Sequence, residues 1–130
     1  MIGTGSATAA GVVKVLVTNG GNHTPESWAA LTCDQLFECD PEISDKRREY
    51  ADDMRVKARA VLKEVFASVR ADASEAVLWR DAQAAQAVIA RFSAGTPWQS
   101  AFGHERIASI MRDVIYQNLR TAADLAVRWE

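Results

Sequence analysis

Very little of this chain consists of the residue types that usually carry chemistry. It has two histidines and two cysteines in 130 residues, so a structural zinc site would need nearly all four to converge. His104-Glu105 opens as a zinc-protease helix would, but Ala108 stands where the second histidine is required. There is no Walker-type Gly-Lys-Ser/Thr loop, and Gly3-Thr4-Gly5 lacks both the preceding strand and the third glycine of a dinucleotide fingerprint. His23 and His104 read as helix-end or surface residues. The densest acids, Asp52-Asp53 and Glu38, Asp40 and Glu42, read as solvated groups, since adjacent carboxylates on a helix point about 100° apart. The expectation is a protein without metal or cofactor, and not an enzyme.

An excess of one charge sign is also missing. Fifteen basic residues face seventeen acidic ones, which argues against a general nucleic-acid binder. No apolar run reaches the ~20 residues that span a bilayer, and Met1 to Ala10 lacks the basic start and long apolar centre of a signal peptide. These absences predict no membrane partner and a protein kept in the cytoplasm, or in a particle assembled there. Residues six apart on one helix lie ~9 Å apart along its axis, beyond disulfide reach. Cys33 and Cys39 therefore read as reduced, buried thiols, with a bridge to a neighbouring subunit as the alternative.

Each of the three prolines marks a boundary. Thr24 can cap a helix in which Pro25 takes the first position and Glu26 meets the positive end of the dipole, running to about Glu38. Asp40-Pro41 breaks the chain. A long helix is predicted from about Ser44 or Asp45 to Arg70, because Tyr50, Met54, Ala58, Val61, Leu62, Val65 and Val69 share one side at 100° per residue. Asp53 and Lys57 form an i,i+4 pair on its polar side. Asp72 and Glu75 have capping-box spacing and open the next helix, whose stripe is Leu78, Ala82, Ala85, Ile89 and Phe92. Ser93-Ala94-Gly95 closes it, and Thr96-Pro97-Trp98-Gln99 repeats the start signal. Gly103 interrupts that piece. A last helix from about His104 then presents Ile107, Ile110, Met111, Val114, Leu125 and Trp129, flanked by Ile115 and Leu119.

Two helices of about 26 residues would each be ~39 Å long, whereas a sphere of this chain length is only ~36 Å across. Helices that must span the whole molecule, joined by short connections, predict an all-α fold. Its form is an elongated antiparallel bundle of about four helices over 22–130. Charge is unevenly placed along it. Five acids and no Lys or Arg lie between Glu26 and Glu42, and eight bases with five acids between Asp45 and Arg70. The two stretches can neutralise one another inside the fold. A nucleic-acid footprint on Lys46, Arg47, Arg48, Arg55, Lys57, Arg59 and Lys63 is the competing reading, weakened because those residues wrap around the helix among acids.

The exception to the helical pattern is Val12-Val13-Lys14-Val15-Leu16-Val17, the one strongly β-prone run, ended by the turn signal Asn19-Gly20-Gly21. Residues 1–21 are thus expected to form an extended N-terminal arm. One strand cannot satisfy its own backbone. Either a second short strand follows, or the edge that receives it belongs to another molecule, in which case Val13, Val15 and Val17 bind a partner. Trp79 and Tyr116 sit on polar flanks of their helices and join them as candidate contact residues, unless the first helix or the arm covers them.

The run Val17-Thr18-Asn19-Gly20-Gly21-Asn22-His23-Thr24-Pro25-Glu26-Ser27-Trp28-Ala29 resembles the opening of small, mostly uncharacterised proteins of tailed bacteriophages. It covers about a tenth of the chain and transfers no functional residue. The resemblance implies a virion or assembly component, partnered by protein subunits of a larger particle or by further copies of itself. A regulatory binding module acting on a host protein or on nucleic acid is the alternative expectation.

Overall fold

The computed structural model describes residues 16–18, 21–39 and 51–126. Two short strands, β1 (Leu16–Thr18) and β2 (Gly21–His23), precede five helices. These are α1 (Pro25–Leu36), α2 (Ala51–Ala67), α3 (Glu75–Phe92), the single turn α4 (Gln99–Phe102) and α5 (Glu105–Ala126). The fold is all-α.

The four long helices form a closed ring in which α1 packs on α2, α2 on α3, α3 on α5, and α5 returns to α1. Side-chain pairs give their directions. Trp28 near the start of α1 stacks on Phe66 at the end of α2, with centroids 5.6 Å apart. Lys57 early in α2 reaches the ring of Phe92 at the end of α3. Glu75 at the start of α3 binds Arg120 late in α5 at 2.8 Å. Neighbouring helices therefore run antiparallel, as the short connections predict.

Leu36, Met54, Leu62, Leu78, Ile89, Met111, Ile115 and Leu119 fill the interior with almost no exposed surface, each contributing about 1.5–3 kcal/mol by burial. The 93–104 connection closes one end of the ring. There Phe37 meets Trp98 and Phe102 edge-on, with centroids 6.1 and 5.8 Å apart. On α5 the stripe is turned slightly from its expected position. Ile115 and Leu119, expected at its flank, are at its centre, while Val114 and Leu125 are only half-buried.

Most boundaries follow from capping chemistry. Thr24 is the N-cap of α1: its Oγ1 accepts from Ser27 N–H at 3.1 Å, while Ser27 Oγ accepts from Thr24 N–H at 3.0 Å. Ser27 completes the capping box, a role open to a hydroxyl as well as to Glu or Gln. α1 ends at Leu36, two residues before the expected Glu38, and α2 ends at Ala67 rather than Arg70. The expected start of α2 near Ser44 or Asp45 lies outside the described residues. Ser93 and Gly95, at φ +80°, close α3 as expected.

Two start signals need correction. The cap of α3 is Ser74, whose side chain accepts from Val77 N–H; Asp72 instead pairs with Arg70 at 3.2 Å. The segment Thr96-Pro97-Trp98 is a turn held by Thr96 Oγ1, and helix begins only at Gln99.

The largest correction concerns the arm. The edge for β1 is the chain's own β2, in antiparallel register with Leu16 opposite His23, Val17 opposite Asn22 and Thr18 opposite Gly21. The second short strand was hidden because Gly21-Asn22-His23 carries no β-prone residue. The hairpin spans the 21/22 boundary drawn between arm and bundle. It lies at the slimmest seam of the ring, with β2 beside α1 and β1 beside α5.

Ser74→Ala should lower stability by about 1 kcal/mol, within the usual 0.5–2 range for a lost N-cap. Asp72→Ala should change it by less than about 0.5 kcal/mol, since an exposed ion pair contributes little. Urea denaturation of both variants, with unchanged slope, checks the assignment.

Candidate functional site

Three places bring polar or aromatic groups together, and the strongest is the corner where the hairpin meets α1. His23 closes β2, and its ring lies 4.7 Å from that of Trp28, which also stacks on Phe66. His23 Nδ1 is 2.9 Å from Ser27 Oγ. That hydroxyl already accepts from Thr24 N–H and lies 3.3 Å from Thr24 O, so it is committed to the cap rather than poised as a nucleophile. The Trp28 indole is buried, and its Nε1 has no hydrogen-bond acceptor among the described residues. An orphaned donor of this kind costs about 1–3 kcal/mol.

The second place is the α3/α5 seam. Trp79 and Tyr116 meet edge to face with centroids 5.1 Å apart. The two polar flanks expected to carry partner-binding aromatics thus face each other, and both rings are half-buried. Arg120 extends the row. Its pKa is pushed above the usual arginine range by the Glu75 carboxylate first, then by Tyr116 and Asp124. An aromatic pair bordered by a guanidinium is a composition favoured at protein contacts.

The third is the α1/α2 seam, where local charges complement one another. Arg55 binds Asp34 at 2.6 Å and lies over the Phe37 ring at 4.9 Å. Lys63 binds Glu26 at 3.2 Å, and Lys57 binds Asp53 at 3.3 Å as the i,i+4 spacing predicts. Beneath this layer Cys33 is fully buried, its Sγ 3.7 Å from the Arg55 carbonyl. Burial pushes the thiol from 9.0 up to about 11, against the opposing pull of Arg55 and Arg59. Cys33 and Cys39 are not bridged to each other, and Cys39 is half-buried beyond the end of α1.

Other candidates stay apart. His104 Nδ1 accepts from Arg106 N–H at 3.2 Å and marks the start of α5. Among the described residues neither histidine pairs with an acid, and no group of three His, Cys, Asp or Glu could hold a metal ion. Also among the described residues, no helix is long and apolar enough to cross a membrane. A shallow groove of about 360 Å³ between α2 and α3 is lined by Val61, Val65, Ala84 and Val88 with Glu64 and Asp81 at its sides. Asp81 is taken by Arg80 at 3.4 Å. Val13 and Val15 lie outside the described residues; Val17 stands in the middle of β1.

The sequence did not single out Phe66, Trp98 or Phe102 as core. Phe66 lies one position past Val65, and its i,i+4 spacing from Leu62 is the sequence signal that marks it as core. No family model matches the chain, and neither a search of curated proteins nor one of solved structures finds a match.

The raised Cys33 pKa has a signed consequence. The unfolded thiol ionises near 9 while the folded one stays protonated, so this stabilising contribution is complete below pH 9 and is lost as pH rises towards 11. Stability measured across that window should fall, and the fall should be smaller in Cys33→Ala. For the α3/α5 seam, a double-mutant cycle of Trp79→Ala and Tyr116→Ala should give a coupling of about 0.5–1.5 kcal/mol.

Proposed function

We propose that this chain is a non-catalytic structural subunit: the helical ring is a rigid body, and the N-terminal segment attaches it to a neighbour. The observation that carries this reading is where the hairpin ladder stops. Hydrogen-bonded and non-hydrogen-bonded pairs alternate along an antiparallel ladder. With Thr18 opposite Gly21 across a two-residue connection and Leu16 opposite His23, the next hydrogen-bonded pair would join Lys14 to Pro25. Proline has no N–H to give, and Pro25 is already the first residue of α1. Thr24 is equally committed, its N–H to Ser27 Oγ and its carbonyl to Trp28 N–H at 2.9 Å.

β2 therefore offers nothing to residues before Leu16. The β-prone run Val12–Val15, if extended, must take its backbone partners from a different edge, and strand addition between chains is a common recognition mode. The orphaned Trp28 donor at the same corner adds to the support. The likeness of Val17–Ala29 to the opening of small tailed-phage proteins makes a virion the assembly proposed, with this chain as a minor or decorating component. A regulatory module acting on nucleic acid draws less support, because Arg55, Lys57 and Lys63 are each matched by an acid of their own chain.

Hydrogen exchange tests the proposal. In isolated monomer the amides of Val12–Val15 should exchange at unprotected rates, while those of α2, α3 and α5 are protected; in the assembled state the arm amides should become protected. Strong protection of Val12–Val15 in a monomer would overturn it.

A further inference from the structure

Across the ring from the seam that carries the hairpin, α2 and α3 enclose the shallow groove described above. We infer that this groove docks a cationic amphipathic helix of a partner protein. Aliphatic side chains of that helix seat on the groove's valines, and its lysine or arginine meets Glu64 and Asp81. The inference is independent of the N-terminal attachment, because it uses only α2 and α3.

The floor comes from the way the two helices pack. They run antiparallel, with Lys57 beside the Phe92 ring, and an equal rise on both helices sets Val61 level with Val88 and Ser68 level with Asp81. Val61, Val65 and Val88 are only half-buried, and Ala84 is exposed. The core takes part of each valine and leaves the rest to line a volume of about 360 Å³. From residue 61 to residue 68 the groove runs ~10.5 Å, or two helical turns. A helix presents side chains at i, i+4 and i+7 on one face over that same length, which is the usual anchor spacing of a helix laid in a groove.

Charge gives the occupant its sign. Among the described residues the lining holds two carboxylates, Glu64 and Asp81, and no base. On the α1/α2 seam, Glu26 and Asp34 each hold a base from α2. Glu64 is exposed and has no cation of its own chain among the described residues. Asp81 has only its sequence neighbour Arg80, at 3.4 Å, whose side chain is 71% exposed. Such a pair contributes little and yields to a better-placed cation.

The charges are also placed along the groove. Val61 and Val88 hold one end, Glu64 flanks the middle, and Asp81 stands at the far end. A partner helix with aliphatic residues at i and i+4 and a lysine or arginine at i+7 matches that order. An apolar helix without the cation would cover two carboxylates and leave them unpaired, which costs free energy. An acidic helix, or the phosphates of a nucleic acid, would be repelled.

The probe is a synthetic alanine-based helix with leucine at i and i+4 and lysine at i+7, titrated into the full chain and followed by NMR. Shifts should concentrate at Val61, Val65, Ala84 and Val88. Glu64→Lys should weaken binding at least about tenfold, and a peptide with glutamate in place of the lysine should bind that variant better than it binds the parent chain. Ala84→Arg, at an exposed position, should abolish binding with helical circular dichroism unchanged. Absence of binding, shifts centred elsewhere, or equal binding of the lysine and glutamate peptides overturns the inference. So does 1,5-diaminopentane binding as tightly as the peptide, which would mark a site for the amine alone. Concentration-dependent shifts of the same residues before any peptide is added would make a second copy the occupant and would equally overturn it.

Discussion

The Thr24–Pro25 junction is the constraint on which the rest of this structure turns. Two residues end a strand, begin a helix and set how far the ladder can extend. Thr24 donates its N–H to Ser27 Oγ and accepts the Ser27 N–H on its own hydroxyl, and its carbonyl takes the first helical bond. Pro25 supplies a preset φ at the first helical position, where the missing N–H costs nothing. The same missing N–H is what β2 would need to pair one step further. A feature that favours the helix therefore forbids the strand, and both consequences are fixed by one side-chain ring.

From that junction the ring of helices is assembled by contacts of complementary character at its two ends. Near the hairpin, ring contacts run from His23 of β2 to Trp28 of α1, and Trp28 stacks on Phe66 of α2. At the opposite end Phe37, Trp98 and Phe102 close the core beneath the single turn α4. Between them the acidic α1 lies on the basic side of α2 through Asp34–Arg55 and Glu26–Lys63. Such half-exposed pairs contribute modestly to stability. Their larger effect is on which helix faces which, because a rotated α1 would leave Arg55 without its carboxylate and its aromatic bed.

The helices were legible because their signals are local. Apolar spacing and the Thr24, Ser93 and Gly103 boundaries are read within a few residues, and the Asp53–Lys57 pair within one turn. The misassigned cap of α3 is local too: Asp72 and Ser74 are both good caps, and the choice between them depends on Arg70, which draws the aspartate away. What stayed hidden is non-local. β2 has no propensity of its own and exists because β1 lies opposite it. Trp79 and Tyr116 looked like two isolated aromatics on polar flanks until the α3/α5 pairing set them edge to face. Trp98 read as part of a helix start and Phe102 carried no signal of its own, and only the closure of the ring makes them core.

Attachment through Val12–Val15, as proposed, would have to meet the entropic cost of ordering that run. Ordering four residues, Val12–Val15, costs roughly 4–8 kcal/mol. Three backbone hydrogen bonds to a neighbouring strand would return only about 3 kcal/mol. Backbone bonding alone would leave such an arm unpaired. The difference has to come from apolar burial, at about 1.5–3 kcal/mol for each valine side chain covered. A run of valines broken by a single lysine meets that requirement, whereas a polar run with the same backbone would not. The rigid ring then matters for a reason beyond packing: it holds β1 already extended beside α5, so only the four residues before Leu16 would remain to be ordered on attachment.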